Sequence, residues 1–142
     1  MQTSEMPART LQPGDAVGRT ILMVEDDATV MDVGAAILLD CGHAVVSVST
    51  ADEAMCRIVG GQSFDLLFSD IVMPGAMNGV ALAGEVRRLR PGVPILLTSG
   101  WADPAMDNQI GDQDYAFIGK PYRHADLARK IEGLFTGPET QS

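Results

Sequence analysis

Cations are scarce in this chain. Lysine and arginine together number 10 of 142 residues against 19 aspartates and glutamates, for a formal charge of −9. A phosphate-backbone binder needs the opposite sign, so nucleic acid is not an expected partner. Long apolar runs are missing too. Nothing approaches the roughly 20 residues of a membrane span, and no secretion-signal stretch stands near the start. The expected setting is therefore cytoplasmic, with no membrane partner. Cysteine is limited to Cys41 and Cys56, neither a close pair nor a framework. No disulfide is needed, and the two thiols serve as small apolar residues.

What is present is an ordinary globular composition, 46% hydrophobic and 20% charged. At roughly 100–200 residues per domain, the length corresponds to one domain that buries about two-thirds of its unfolded surface. Residues 1–18 carry Pro7, Pro13, Gly14 and Gly18 without an apolar period and are expected to form a flexible leader. Gly137-Pro138 closes the last helical pattern, so residues 137–142 are expected to be a polar tail. The domain proper is expected to span 19–136.

Short apolar runs alternate with amphipathic stretches along that span. The runs are 21–24, 44–48, 66–68, 93–97 and 115–118, and their near-continuous apolarity suits strands buried on both faces. Helical patterns fall near 28–39, 51–59, 78–90, 102–109 and 123–135. Asn78 is a candidate cap for the third, and Pro104 must sit in the first turn of the fourth. Five strand-then-helix units predict an α/β fold, a doubly wound five-stranded parallel sheet with helices on both faces and right-handed crossovers.

In such a sheet the ligand site lies beyond the carboxyl ends of the strands. Strand one runs into Glu25-Asp26-Asp27, strand three ends in Asp70, strand four in Thr98-Ser99, and strand five stops before Lys120-Pro121. Each residue has a plain structural use as well. The acidic triplet can cap a helix, Asp70 can open a turn, Thr98 is a β-former, and Phe117 on a strand belongs in a core. Convergence adds a constraint. Three carboxylates about 5 Å apart repel by roughly 3 kcal/mol per pair at an effective dielectric of about 20. The chain has two lysines, Lys120 and Lys130, and one ammonium cannot balance three carboxylates. A divalent cation with oxygen ligands can, and magnesium suits that donor set better than zinc.

The motifs Val24-Glu25-Asp26-Asp27, Ser69-Asp70-Ile71-Val72-Met73-Pro74-Gly75, Leu97-Thr98-Ser99-Gly100 and Lys120-Pro121-Tyr122 follow one another in this order. Together they resemble the receiver domain of bacterial two-component response regulators over about residues 19–136. The resemblance implies a flavodoxin-like sheet of strand order 2-1-3-4-5. It makes Asp70 the phosphoacceptor that takes a phosphoryl group from the phosphohistidine of a sensor histidine kinase or histidine phosphotransferase. It gives Mg2+ to Asp26 and Asp70 directly, to Glu25 through water, and to the backbone carbonyl of Val72. Asp27 is left as a helix cap. Lys120 and Thr98 would contact the phosphoryl group, Ser99 would leave room for it, and a cis Lys120-Pro121 bond would aim the ammonium at Asp70. Phe117, three residues before Lys120, would be the switch aromatic coupled to Thr98.

Two features depart from the family pattern. The PGAMNG loop is one residue longer than is commonest, and WADPAMDNQIGDQD is polar and broken where a regular fourth helix is expected. Val72 and Gly100 offer no polar side chain to influence dephosphorylation. The functional expectation is a stand-alone receiver that is not a conventional enzyme and signals through a downstream protein target, with a homodimer left open. The likeness to receivers of hybrid sensor kinases is a weaker subgroup signal. An aspartate-nucleophile phosphohydrolase is the alternative from another class. It wants a second aspartate two residues after the nucleophile, where this chain has Val72. A flavin module would need a hydroxyl-rich phosphate loop after strand one, where the acidic triplet would repel phosphate. A receiver-like module that is never phosphorylated would have no use for a complete site.

Overall fold

The computed structural model describes residues 18–100 and 115–136. The expected helix at 102–109, the tail 137–142 and nearly all of the expected leader lie outside them. Strands β1 (Thr20–Val24), β2 (Ala44–Val48), β3 (Leu66–Asp70), β4 (Ile95–Ser99) and β5 (Ala116–Gly119) alternate with helices. These are α1 (Ala28–Asp40), α2 (Ala51–Val59), α3 (Gly79–Leu89) and α4 (His124–Thr136). The sheet order is β2-β1-β3-β4-β5, and every pairing is parallel. This is the 2-1-3-4-5 order expected.

Two apolar layers enclose the sheet, because successive strand residues face opposite sides. Leu22, Val24, Leu67 and Leu97 pack with Ala54 and Ile58 of α2 and Leu82 and Val86 of α3. Ile21, Met23, Phe68 and Leu96 pack with Ile37 and Leu38 of α1 and Leu127 and Ile131 of α4. The central strands β3 and β4 are buried throughout. The edge strands differ from the expectation of burial on both faces. Ala44 and Ser47 of β2 and Phe117 and Gly119 of β5 are exposed, since an edge strand has a neighbour on one side only.

Element ends follow local chemistry. Asp27 Oδ1 accepts from the Thr29 and Val30 amides at 2.9 and 3.1 Å and caps α1. Thr50 Oγ1 accepts from Glu53 N at 3.1 Å, and Asn78 Oδ1 from Ala81 N at 2.8 Å. The turn after α1 passes through Gly42 at φ 95°, where His43 N donates to Leu38 O at 3.1 Å. Strand β4 begins at Ile95 rather than at residue 93, because Val93 N donates to Arg90 O at 3.0 Å and belongs to the turn leaving α3. Among the described residues, no helix is long and apolar enough to cross a membrane.

Candidate functional site

Parallel register lines up the strand ends. Val24 is opposite Ser69, Asp70 opposite Thr98, and Ser99 opposite Gly119. The next residue along β1 is Glu25 and the next along β5 is Lys120, so residues distant in sequence meet at one edge. Carboxylate oxygens of Glu25, Asp26 and Asp70 all lie within 4.8 Å of one another. Glu25 and Asp70 are buried, with 3% and 5% of their surface exposed, and Asp26 is open to solvent. The Lys120 ammonium donates to Glu25 Oε1 at 3.0 Å and to Asp70 Oδ2 at 3.1 Å. The Lys120-Pro121 peptide is cis.

These charges are perturbed in opposite senses by burial and pairing. Desolvation is the largest influence on Glu25 and raises its pKa, against the lowering by the Asp27 amide and by Lys120. Desolvation alone would lower the pKa of Lys120. Hydrogen bonds to Glu25 and Asp70, together with their charges, outweigh it and raise the value. The ammonium therefore stays charged between two carboxylates, and the third carboxylate has no such partner within the cluster. Three hard oxygen donors at this spacing fit a magnesium-type ion.

Around the acids the backbone is tied down. Ile71 N donates to Thr98 O at 2.9 Å, Gly79 N to Ile71 O at 2.8 Å, and Ser69 Oγ to Asp70 O at 2.9 Å. Gly79 packs directly on the Asp70 carbonyl oxygen, where any Cβ would collide. Thr98 is buried, and its hydroxyl has no hydrogen-bond partner among the described residues. Ser99 beside it is also buried, while the Val72 side chain is exposed. Phe117 leaves 37% of its surface in solvent on the outer edge of β5.

All the residues singled out at the strand ends reach one edge, except that Asp27 turns away to cap α1 and Phe117 stands at the periphery. Tyr122 closes the Lys120-Pro121-Tyr122 motif, which assigns it no role of its own. Its ring packs 5.6 Å from that of Phe68, and its buried hydroxyl has no partner among the described residues. Desolvation first, then the Glu25 carboxylate, push its pKa up to about 12. Gly34, on the buried side of α1, faces that hydroxyl, and no sequence signal marked it.

Comparison with known proteins agrees with this geometry. A family model described as the response regulator receiver domain matches residues 21–132. The chain is similar to the sensor kinase CckA of Brucella abortus, 31% identical over 118 residues, which are 81% of this chain and 12% of the kinase. It spans only that small part of the curated relative. Among solved structures, a CheY-like response regulator receiver domain protein from Methanospirillum hungatei superposes with a TM-score of 0.79 at 29% identity, covering 88% of this chain and 99% of that one. The regulator TrrA of Thermotoga maritima, solved in complex with Mg2+ and BeF, shares the fold with a TM-score of 0.71 at 24% identity, covering 80% and 96%.

Proposed function

The chain belongs to the response regulator receiver domain family, and from that membership we propose that it accepts a phosphoryl group on Asp70 in two-component signal transduction. Receiver domains of this family interact with histidine kinases or phosphotransferases and are not conventional enzymes. The observation that carries the reading is the Lys120 ammonium held 3.0 and 3.1 Å from two of three clustered carboxylates. Fixed positive charge beside the acceptor carboxylate supports the reading, because phosphoryl oxygens are anionic.

Asp70 supplies the nucleophile. One carboxylate oxygen forms a bond to phosphorus as the phosphorus–nitrogen bond of the partner's phosphohistidine breaks, and the imidazole leaves with the electron pair. The product is a mixed anhydride on Asp70. Glu25, Asp26, Asp70 and the Val72 carbonyl would hold Mg2+, which neutralises phosphoryl charge when bound. Lys120 is already oriented, so little reorganisation accompanies the transfer. Ser99 leaves space beside the acceptor. The Thr98 hydroxyl, buried and unpartnered, would gain a phosphoryl oxygen as its acceptor. Drawing Thr98 inward opens room behind it for the exposed Phe117 ring, and the altered face is read by a downstream protein target.

The test is a titration with magnesium and then beryllofluoride, followed by NMR or by fluorescence of Trp101, the sole tryptophan. A magnesium-dependent change in the wild type, absent from Asp70→Asn, is expected. An equal response in Asp70→Asn would remove Asp70 from the role.

A further inference from the structure

Lys120 reaches the carboxylates from the loop between β5 and α4, and two residues later Tyr122 turns back into the molecule. Its ring lies against Phe68 of β3, with centroids 5.6 Å apart. Its hydroxyl is buried without a hydrogen-bond partner among the described residues. No polar contact fixes that end of the ring, so sterics must. The confining surface is a notch in α1. A Cβ built on Gly34 would stand 2.6 Å from the Tyr122 hydroxyl oxygen and would also collide with Met23 Cε. The two neighbours differ in what they can yield. Met23 ends in a flexible thioether that can swing aside. The phenol is a rigid plate packed at a tilt of 56° against Phe68, so pushing its hydroxyl end back loads the segment that carries it.

We infer that Tyr122, seated in the notch left by Gly34, is a positioning residue that holds the Lys120 ammonium between Glu25 and Asp70. The notch acts through the Lys120–Pro121–Tyr122 segment. Filling it displaces the ring, and with it the ammonium, while the carboxylates just beyond β1 and at the end of β3 stay in place. The inference rests on the receiver reading only for its consequence in phosphoryl binding; the placement of Lys120 is a separate observable.

The experiment compares the wild type, Gly34→Ala, Tyr122→Phe, Tyr122→Leu and the double variant Gly34→Ala/Tyr122→Phe. The first readout is the side-chain ammonium spectrum of protein carrying 15N-lysine, which has only Lys120 and Lys130 to report. Gly34→Ala and Tyr122→Leu should shift or broaden the Lys120 signal and leave that of Lys130 unchanged. Tyr122→Phe should keep it, and the double variant should restore it, because deleting the hydroxyl vacates the space the new methyl needs. The second readout is the beryllofluoride midpoint at saturating magnesium. It should weaken about tenfold or more in Gly34→Ala and Tyr122→Leu and recover in the double variant, with the magnesium midpoint within about twofold throughout.

An unmoved Lys120 signal in Tyr122→Leu overturns the inference, and so does a double variant no better than a folded Gly34→Ala. Should Gly34→Ala fail to fold, Tyr122→Leu decides alone. A wild type that ignores magnesium and beryllofluoride overturns the receiver reading instead, and the lysine spectra still decide the lever.

Discussion

The buried polar groups without partners are where single residues bear most on behaviour. Leaving a buried hydroxyl unpaired costs about 1–3 kcal/mol, and Thr98 carries such a hydroxyl at the end of β4. Thr98→Val keeps the shape and removes the orphan. Denaturant unfolding without ligand should show the variant at least as stable as wild type, by up to about 1 kcal/mol, while its response to beryllofluoride is largely lost. A destabilised variant with a normal response would show that the hydroxyl is neither orphaned nor used. His43 is another such case. It is 6% exposed, its Nδ1 has no partner, and its ring lies 5.3 Å from that of Phe135. Burial first, and then the Arg19 guanidinium, lower its pKa from the ordinary 6.5. The folded state thus takes up this proton less readily than the unfolded chain does. The associated stability is fully present above pH about 6.5, declines as pH falls through that value, and levels off below the folded pKa. Between pH 7.5 and 5.5, wild type should lose more stability than His43→Leu. Equal losses would assign the pH dependence to other groups.

At the scale of elements, caps and strand ends divide neighbouring acids between structure and chemistry. Asp27 spends one oxygen on two amides of the first turn of α1, so Asp27→Ala should cost about 1 kcal/mol of stability. Its carboxylate is not part of the Glu25, Asp26 and Asp70 cluster, so the magnesium midpoint should stay within about twofold. A large loss of magnesium affinity would put Asp27 among the ligands instead. This division was legible in the chain, because an acid just before an amphipathic run is a capping signal and one just after a buried strand lies at the sheet edge. The described elements were legible for the same kind of reason: apolar runs of strand length alternate with helical periods. Their ends were less so. Val93 is as apolar as Ile95, and only the hydrogen bond to Arg90 assigns it to a turn. The meeting of Gly34 with Tyr122 was not legible at all. It depends on how α1 and the β5–α4 loop pack over Met23, a relation between distant segments that no local pattern encodes.

For the whole molecule, the surplus of acid is the feature that binding must change. Of the charge of −9, Glu25, Asp26 and Asp70 concentrate three units within 4.8 Å, relieved by one ammonium. A divalent ion at that point would bring the formal total to −7 and remove most of the mutual repulsion, whereas sodium spread over the surface would only screen it. A ligand that binds the folded state alone stabilises it by about 2.7 kcal/mol at one hundred times its dissociation constant. For a domain of this size that corresponds to a rise in melting temperature on the order of 10 °C. Magnesium should therefore raise the melting temperature of the wild type well beyond sodium chloride at equal ionic strength. Asp26→Asn should lose most of that difference, because the exposed Asp26 contributes one of the three donors while taking no part in the Lys120 ion pairs. Equal rises with both salts, or an undiminished magnesium effect in Asp26→Asn, would mean that the acidic cluster holds no ion and that its repulsion is met by Lys120 and protonation alone.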